Sequence, residues 1–196
     1  MDEQKKTVKK SKKTKEKPSP ELVARREAYD WIQSLISALL ICVLVFVFVI
    51  RIMVVHGSSM VPTLHNGERL LVSSLFYEPE RGDVVVFKKD SYDDNKALVK
   101  RVIAVAGDVV NIDFDNGIVY VNGSAVEEEY LTVSTNTKLD FIGPQTVPEN
   151  CLFVLGDNRN ASTDSRDKRI GMVDKRLVVG KALMVIYPFA DFRAVE

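Results

Sequence analysis

No charged side chain occurs between Trp31 and Ile50, and from Leu35 to Ile50 every residue except Ser37 is apolar. Continued past Arg51 to Val55, the stretch runs to about 25 residues, against the roughly 20 that a helix needs to cross a hydrocarbon core. Arg51 stands near its end, where a long stem carries the guanidinium to an interface, and Tyr29 and Trp31 suit the opposite interface. A cleaved secretory signal has a shorter apolar middle, about 7–15 residues, followed by a small-x-small site. Here the middle is longer, and Met53, Val54, Val55 and His56 follow it. The expectation is a retained transmembrane anchor over 31–55, between a basic tail at 1–30 and an outer domain at 56–196.

The formal net charge of zero conceals how the charges divide around that anchor. Residues 1–30 carry ten Lys/Arg against six Asp/Glu, with eight lysines between Lys5 and Lys17, whereas 56–196 carry sixteen basic against twenty-one acidic side chains. Lysines flanking a span stay on the cytoplasmic side. The reading is therefore a single-pass plasma-membrane protein, N-terminus cytoplasmic and C-terminal domain extracytoplasmic. The tail has no apolar period and contains Pro18 and Pro20, a composition of unstructured chain. It has no aromatic residue before Tyr29, which speaks against nucleic-acid binding. Cys42 in the span and Cys151 in the outer domain cannot pair, and with only His56 and His65 no cluster has metal-ligand spacing. No metal and no cofactor are expected.

Beyond residue 56 the pattern is one of short strands rich in Val and Ile, at 70–72, 83–88, 97–105, 109–114, 118–121, 151–155 and 178–187. Asn116-Gly117 between two such runs predicts a hairpin with a type I′ turn, and Asn122-Gly123 a second turn. Residues 124–150, with three glutamates followed by Thr, Ser and Asn, read as surface loop with one edge strand. The fold class expected is mainly β: an antiparallel, barrel-like sheet with a small lobe within about 110–150, preceded by one N-terminal transmembrane helix.

Ser59 lies in Gly57-Ser58-Ser59-Met60-Val61-Pro62-Thr63-Leu64, just past the anchor. A serine nucleophile needs a base to take its proton. His56 and His65 are poor candidates, being three and six residues away on the same local stretch. Lys100, among Val99, Val102 and Ile103, has the neighbours that burial requires. An ordinary lysine titrates at about 10.4, and burial lowers that value by penalising the charged form. The spacing alone equally allows Lys100 and Arg101 to lie on the solvent face of a strand. A third segment, 156–166 (GDNRNASTDSR), follows an apolar strand and is dense in hydrogen-bonding groups. Such a loop can orient a base from behind or be an ordinary polar turn.

Taken together, these segments resemble those of bacterial type I signal peptidases, the serine/lysine endopeptidases that remove signal peptides from exported preproteins. The resemblance is carried by 57–64, by Arg81-Gly82-Asp83-Val84-Val85-Val86-Phe87, by 100–108 (KRVIAVAGD) and by Gly156-Asp157-Asn158-Arg159 through Asp164-Ser165-Arg166, in that order after an anchor. It implies Ser59 as nucleophile and Lys100 as general base. It further implies Ser162 as the group that hydrogen-bonds and aims the lysine amine, and Asp164 with Arg166 as a supporting ion pair. Met60 would line the substrate groove, and the backbone around Gly57 and Ser59 would hold the oxyanion. Partners so implied are signal-peptide-bearing preproteins and the lipid bilayer, with cleavage after small residues (Ala-x-Ala).

There are departures from the family pattern. Ala104 and Ala106 stand where Gly and Pro are frequent, Asn160-Ala161 where Asp-Asn is frequent, and Gly57 where some members have a serine that helps hold the oxyanion. A self-cleaving serine/lysine peptidase of the SOS-repressor type would need a DNA-binding head, for which 1–30 is too short. The remaining alternative is an inactive membrane-tethered β binding module.

Overall fold

The computed structural model describes residues 20–48, 50–74, 77–89, 92 and 96–195. Of the tail read above at 1–30 as unstructured, residues 1–19 lie outside the described residues, and 20–30 are helical. The chain forms two compact units that divide between Val43 and Leu44.

The described residues of the first unit are helical, and the helix continues past Val43. α1 spans Pro20–Phe48, beginning with Pro20, whose fixed φ suits a first helical turn, and with Glu21 in that turn, where a carboxylate complements the helix dipole. Pro20–Leu44 is long and apolar enough to cross a membrane, with a mean hydropathy of 1.4. Its large side chains are open, Trp31 78%, Leu35 71% and Leu39 64% among them. The helix starts about eleven residues before the expected anchor, and it ends earlier. Residues Ile50–Val54, assigned above to the span, are a strand, β1. β1 pairs in register with the next strand, from Ile50 opposite Ser73 to Val54 opposite Arg69.

The second unit is mainly β and antiparallel. β2 (Arg69–Ser73), β3 (Val84–Lys88), β4 (Ala97–Val105), β9 (Cys151–Leu155), β10 (Val173–Asp174), β11 (Val178–Tyr187) and β12 (Arg193–Ala194) complete the larger sheet, in the order β1-β2-β11-β3-β4-β9-β10 with β12 on β11. The smaller sheet has the order β7-β6-β5-β8, built from β5 (Val109–Asp113), β6 (Ile118–Val121), β7 (Ser124–Ala125) and β8 (Gln145–Thr146). The small lobe is thus a four-stranded sheet, with two short strands where one edge strand was expected.

Period-2 alternation fills both faces of the larger sheet. Val84 and Val86 join Val55, Met60, Leu64, Leu70 and Val72 in one cluster, while Val85 and Phe87 join Val102, Leu152 and Val154 in another. A third cluster, with Ile103, Val110, Val119 and Phe153, joins the small lobe to the larger sheet. Phe141 stacks edge-on between Phe114 and Phe153 there, at 5.8 Å from each.

The hairpin turn at Asn116-Gly117 differs from expectation. Asp113 pairs with Ile118, so the connection has four residues, and of Asn116-Gly117 only Gly117 has a positive φ (+71°). The Asp113 carboxylate accepts the N–H groups of Asp115 and Asn116 at 3.1 and 3.0 Å. This local bonding favours an Asx turn over the two-residue form. The type I′ signature, positive φ at both central residues, occurs instead at Asn122 (+54°) and Gly123 (+82°), between paired Val121 and Ser124.

Candidate active site

The connection between β1 and β2 carries Ser59. Its ends are tied by Val55 N–H to the Glu68 carbonyl (2.8 Å) and Gly67 N–H to the Val55 carbonyl (2.9 Å). Met60 (2% exposed) and Leu64 (0%) sink into the core beneath it, which fixes the loop by packing while Ser59 stays partly open. Arg193 on β12 donates to the Thr63 carbonyl (2.7 Å) and to the Glu68 carboxylate (2.9 Å).

β4 lies between β3 and β9 and carries Lys100, 41 residues from Ser59. The lysine Nζ is 2.6 Å from Ser59 Oγ and donates also to the Val99 carbonyl at 2.9 Å. Only 3% of Lys100 is exposed. Burial pushes its pKa down from 10.5 to about 8; the charges of Asp164 and Asp157 oppose the shift and Arg166 reinforces it. The solvent-face placement that spacing allowed is not what the chain adopts, since Arg101 is equally buried. A cleft lined by Val54, Gly57, Met60, Leu98 and Val99 opens beside the pair.

The loop after β9 packs behind Ser59. Asn158 N–H donates to the Ser59 carbonyl (3.0 Å) and its side chain to the Ser58 carbonyl (3.1 Å). Asp164 and Arg166 form a fully buried pair, Nε to Oδ1 at 2.9 Å and Nη2 to Oδ2 at 2.8 Å. Asp164 also accepts the Gly156 N–H (3.0 Å). A Cβ added at Gly156 would lie 2.2 Å from Ser162 Oγ and 2.5 Å from the Ser59 carbonyl oxygen. Only a glycine lets these three groups close on one another.

Two assignments drawn from the resemblance meet a different geometry. The lysine amine was expected on Ser162, but its partners are Ser59 Oγ and the carbonyl of its own neighbour. Ser162 Oγ, among the described residues, is the buried side-chain oxygen left without a hydrogen bond. The amine turns onto the strand backbone, which leaves that hydroxyl unanswered. The N–H of Gly57, a residue at φ +85°, already donates to Asn66 Oδ1 at 2.9 Å. It is committed to the turn and is not free to meet an oxyanion.

Arg101, Asp157 and Arg159 stand in the motif segments quoted above, but no role was drawn for them from sequence. Arg101 grips Asp157 with two hydrogen bonds, Nε to Oδ1 at 3.0 Å and Nη2 to Oδ2 at 2.7 Å. Asp157 also accepts from Thr63 Oγ1, so one carboxylate joins β4 to the Ser59 loop. Arg159 is fully buried against Glu128. The signals available were their places in those segments and the adjacency of Arg101 to Lys100.

Residues 28–187 match the model of the family described as signal peptidase, peptidase S26. The chain belongs to that family. Among its relatives are a signal peptidase I of Bacillus licheniformis, 37% identical and covering 88% of this chain and 95% of that protein, and signal peptidase I S of Bacillus subtilis (strain 168), 35% identical over 86% and 94%. The crystal structure of a signal peptidase I from Enterococcus faecalis V583 is 32% identical, covers 54% of this chain and 97% of its own, and superposes with a TM-score of 0.45. By its family the chain is a serine endopeptidase. No cluster of His, Cys, Asp or Glu able to hold a metal occurs among the described residues.

Proposed function

We propose that this signal peptidase-family enzyme is a membrane-tethered signal peptidase I that cuts signal-peptide-bearing preproteins after small residues through a Ser59/Lys100 pair. The observation that carries the reading is the 2.6 Å approach of a buried lysine amine, its pKa lowered to about 8, to a serine hydroxyl beside a small cleft. A base must lie within about 2.6–3.2 Å of the proton it removes and titrate near working pH. No histidine need be invoked.

Neutral Lys100 takes the Ser59 proton as Oγ attacks the scissile carbonyl, and the resulting ammonium protonates the departing amine. The neutral amine next draws a proton from water, whose oxygen attacks the ester carbonyl; the bond to Oγ breaks, and the ammonium returns the proton to Ser59 Oγ. The oxyanion rests on the Ser59 N–H, and the open space beside Gly57 leaves room for a water as second donor. Asp164 and Arg166 hold the loop behind the pair, and Ser162 is the hydroxyl available to the amine once Ser59 Oγ is esterified. α1 serves as the anchor, with its N-terminus cytoplasmic and the β unit outside. Tethering enzyme and substrate to one bilayer raises their effective concentration.

The test is cleavage of a preprotein with an Ala-x-Ala site by the full chain in detergent or lipid, with mass spectrometry locating the cut. One cut after the second alanine, lost in Ser59→Ala and Lys100→Ala, is the expected result. Cleavage that survives Lys100→Ala would remove the assigned base. No cleavage by a folded, lipid-embedded wild type would favour the inactive tethered module.

A further inference from the structure

Two arginines beside the catalytic pair are almost wholly withdrawn from water, Arg101 at 2% and Arg159 at 0% exposure. A buried guanidinium persists only where acceptors meet its donors. Asp157 meets Arg101 along one edge, and the Tyr130 ring covers its face, 3.9 Å from the guanidinium carbon. Arg159 gives Nε to the Gly156 carbonyl (3.1 Å) and Nη1 to Thr135 Oγ1 (2.8 Å) and the Glu128 carboxylate (2.9 Å); Nη2 closes the Glu128 fork. Tyr130 donates its hydroxyl to Glu128 at 3.1 Å. Glu128 and Tyr130, two residues apart in the segment after β7, therefore close over both arginines.

The same segment continues along the loop that carries Ser162 and Asp164. The Thr137 carbonyl accepts Arg166 Nη1 (2.7 Å), and Asn160 Oδ1 accepts the N–H groups of Asn136 and Thr137 at 3.2 and 3.0 Å. Glu127 and Glu129 are exposed, whereas the Glu128 side chain is 8% exposed. The middle glutamate of three is thus the one committed inward. Gly156, whose carbonyl Arg159 holds, is in contact range of both Ser162 and the Ser59 carbonyl. A shift of Arg159 reaches the reacting pair through a single residue, and a shift of Arg101 reaches Lys100 through one peptide bond.

We propose that residues 128–137 form a positioning strap for the reaction, in which Glu128 acts through Arg159 on Gly156 and Tyr130 acts through Arg101 on Lys100. The proposal rests on the Ser59/Lys100 reading. Neither Glu128 nor Tyr130 touches the reacting atoms; they are positioning residues.

A role confined to fold stability makes a different forecast. Removing Glu128 alone would strand a buried cation, which destabilises strongly, so the informative variant is the double replacement Glu128→Leu with Arg159→Met. It leaves neither charge unpaired. The full chain would be assayed on the Ala-x-Ala preprotein for kcat, KM and Tm. A displaced catalytic loop predicts Tm near wild type, unchanged KM, and kcat lower by roughly ten- to a hundredfold, the effect of a misplacement of about an ångström. Wild-type kcat per folded molecule in this variant overturns the proposal.

Tyr130 supplies a second pair should the double variant not fold. Tyr130→Phe keeps the ring over Arg101 and should keep kcat, while Tyr130→Ala loses the ring and should lower kcat with KM unchanged. Equal kcat in these two overturns the strap. A wild type that fails to cut the preprotein takes down the Ser59/Lys100 reading and the strap together, whereas a cutting wild type with unaffected variants takes down the strap alone.

Discussion

Replacing Lys100 by methionine should stabilise the protein at neutral pH while abolishing its activity. The lysine is buried and its pKa falls from 10.5 to about 8. At about 1.36 kcal/mol per unit, the folded state bears a penalty on the order of 3 kcal/mol whenever the amine is charged in both states, which holds below pH 8. Between pH 8 and 10.5 the unfolded chain binds the proton and the folded one releases it, so wild-type stability rises with pH across that window. Near pH 10.5 the penalty is gone. Methionine is of similar length and carries no charge, so the variant lacks this pH-dependent contribution. The stability gap between the two proteins should be on the order of 3 kcal/mol at pH 7 and should close as pH approaches 10.5. Denaturant unfolding of both proteins in the same detergent at pH 7, 8, 9 and 10 measures it, and groups common to both cancel in the difference. A gap that does not change with pH, or a variant less stable than wild type at pH 7, would refute the reasoning.

The same pKa predicts that kcat/KM rises about tenfold from pH 7 to pH 9 as the neutral amine goes from roughly a tenth to nine-tenths of the population; a flat profile counts against Lys100 as base. Asp164→Asn removes the first of the groups that hold the lysine pKa up and leaves Arg166 unopposed. Its pH–rate midpoint should therefore move below wild type, with a loss of about 3–5 kcal/mol in unfolding free energy for the broken buried pair. Gly156→Ala puts a methyl 2.2 Å from Ser162 Oγ and 2.5 Å from the Ser59 carbonyl oxygen. It should cost about 1–3 kcal/mol by overpacking and lower kcat by about a hundredfold; wild-type kcat and Tm together would show that the seam is looser than described.

Strands were legible where short apolar runs stood between polar or turn-forming segments. The runs at 97–105, 118–121, 151–155 and 178–187 become β4, β6, β9 and β11 with unchanged ends, because Val and Ile fit a pleated, half-buried surface. β1 was not legible, because its Ile, Met and Val continue the apolar composition of α1 and only pairing with β2 distinguishes strand from span. The motif residues Ser59 and Lys100 could be named from type and order, and the family match to residues 28–187 agrees with that resemblance. Arg101 and Glu128 could not. Their partners, Asp157 and Arg159, lie 56 and 31 residues away, and nothing local separates a buried charge with a distant partner from a solvated one. For the same reason three consecutive glutamates read as surface, although the middle one is inside. The unanswered Ser162 hydroxyl is likewise a matter of side-chain direction, which residue order does not carry.

Lys100 owes its low pKa to neighbours contributed by separate stretches: β3 and β9 on either side of its strand, and the Ser59 loop above it. Until those stretches have closed on one another the amine is hydrated, fully charged at neutral pH, and no acceptor for a serine proton. On the Ser59/Lys100 mechanism proposed above, reactivity is therefore a readout of completed folding. By that mechanism a half-folded copy is chemically idle, because the switch is the closure of the sheet itself.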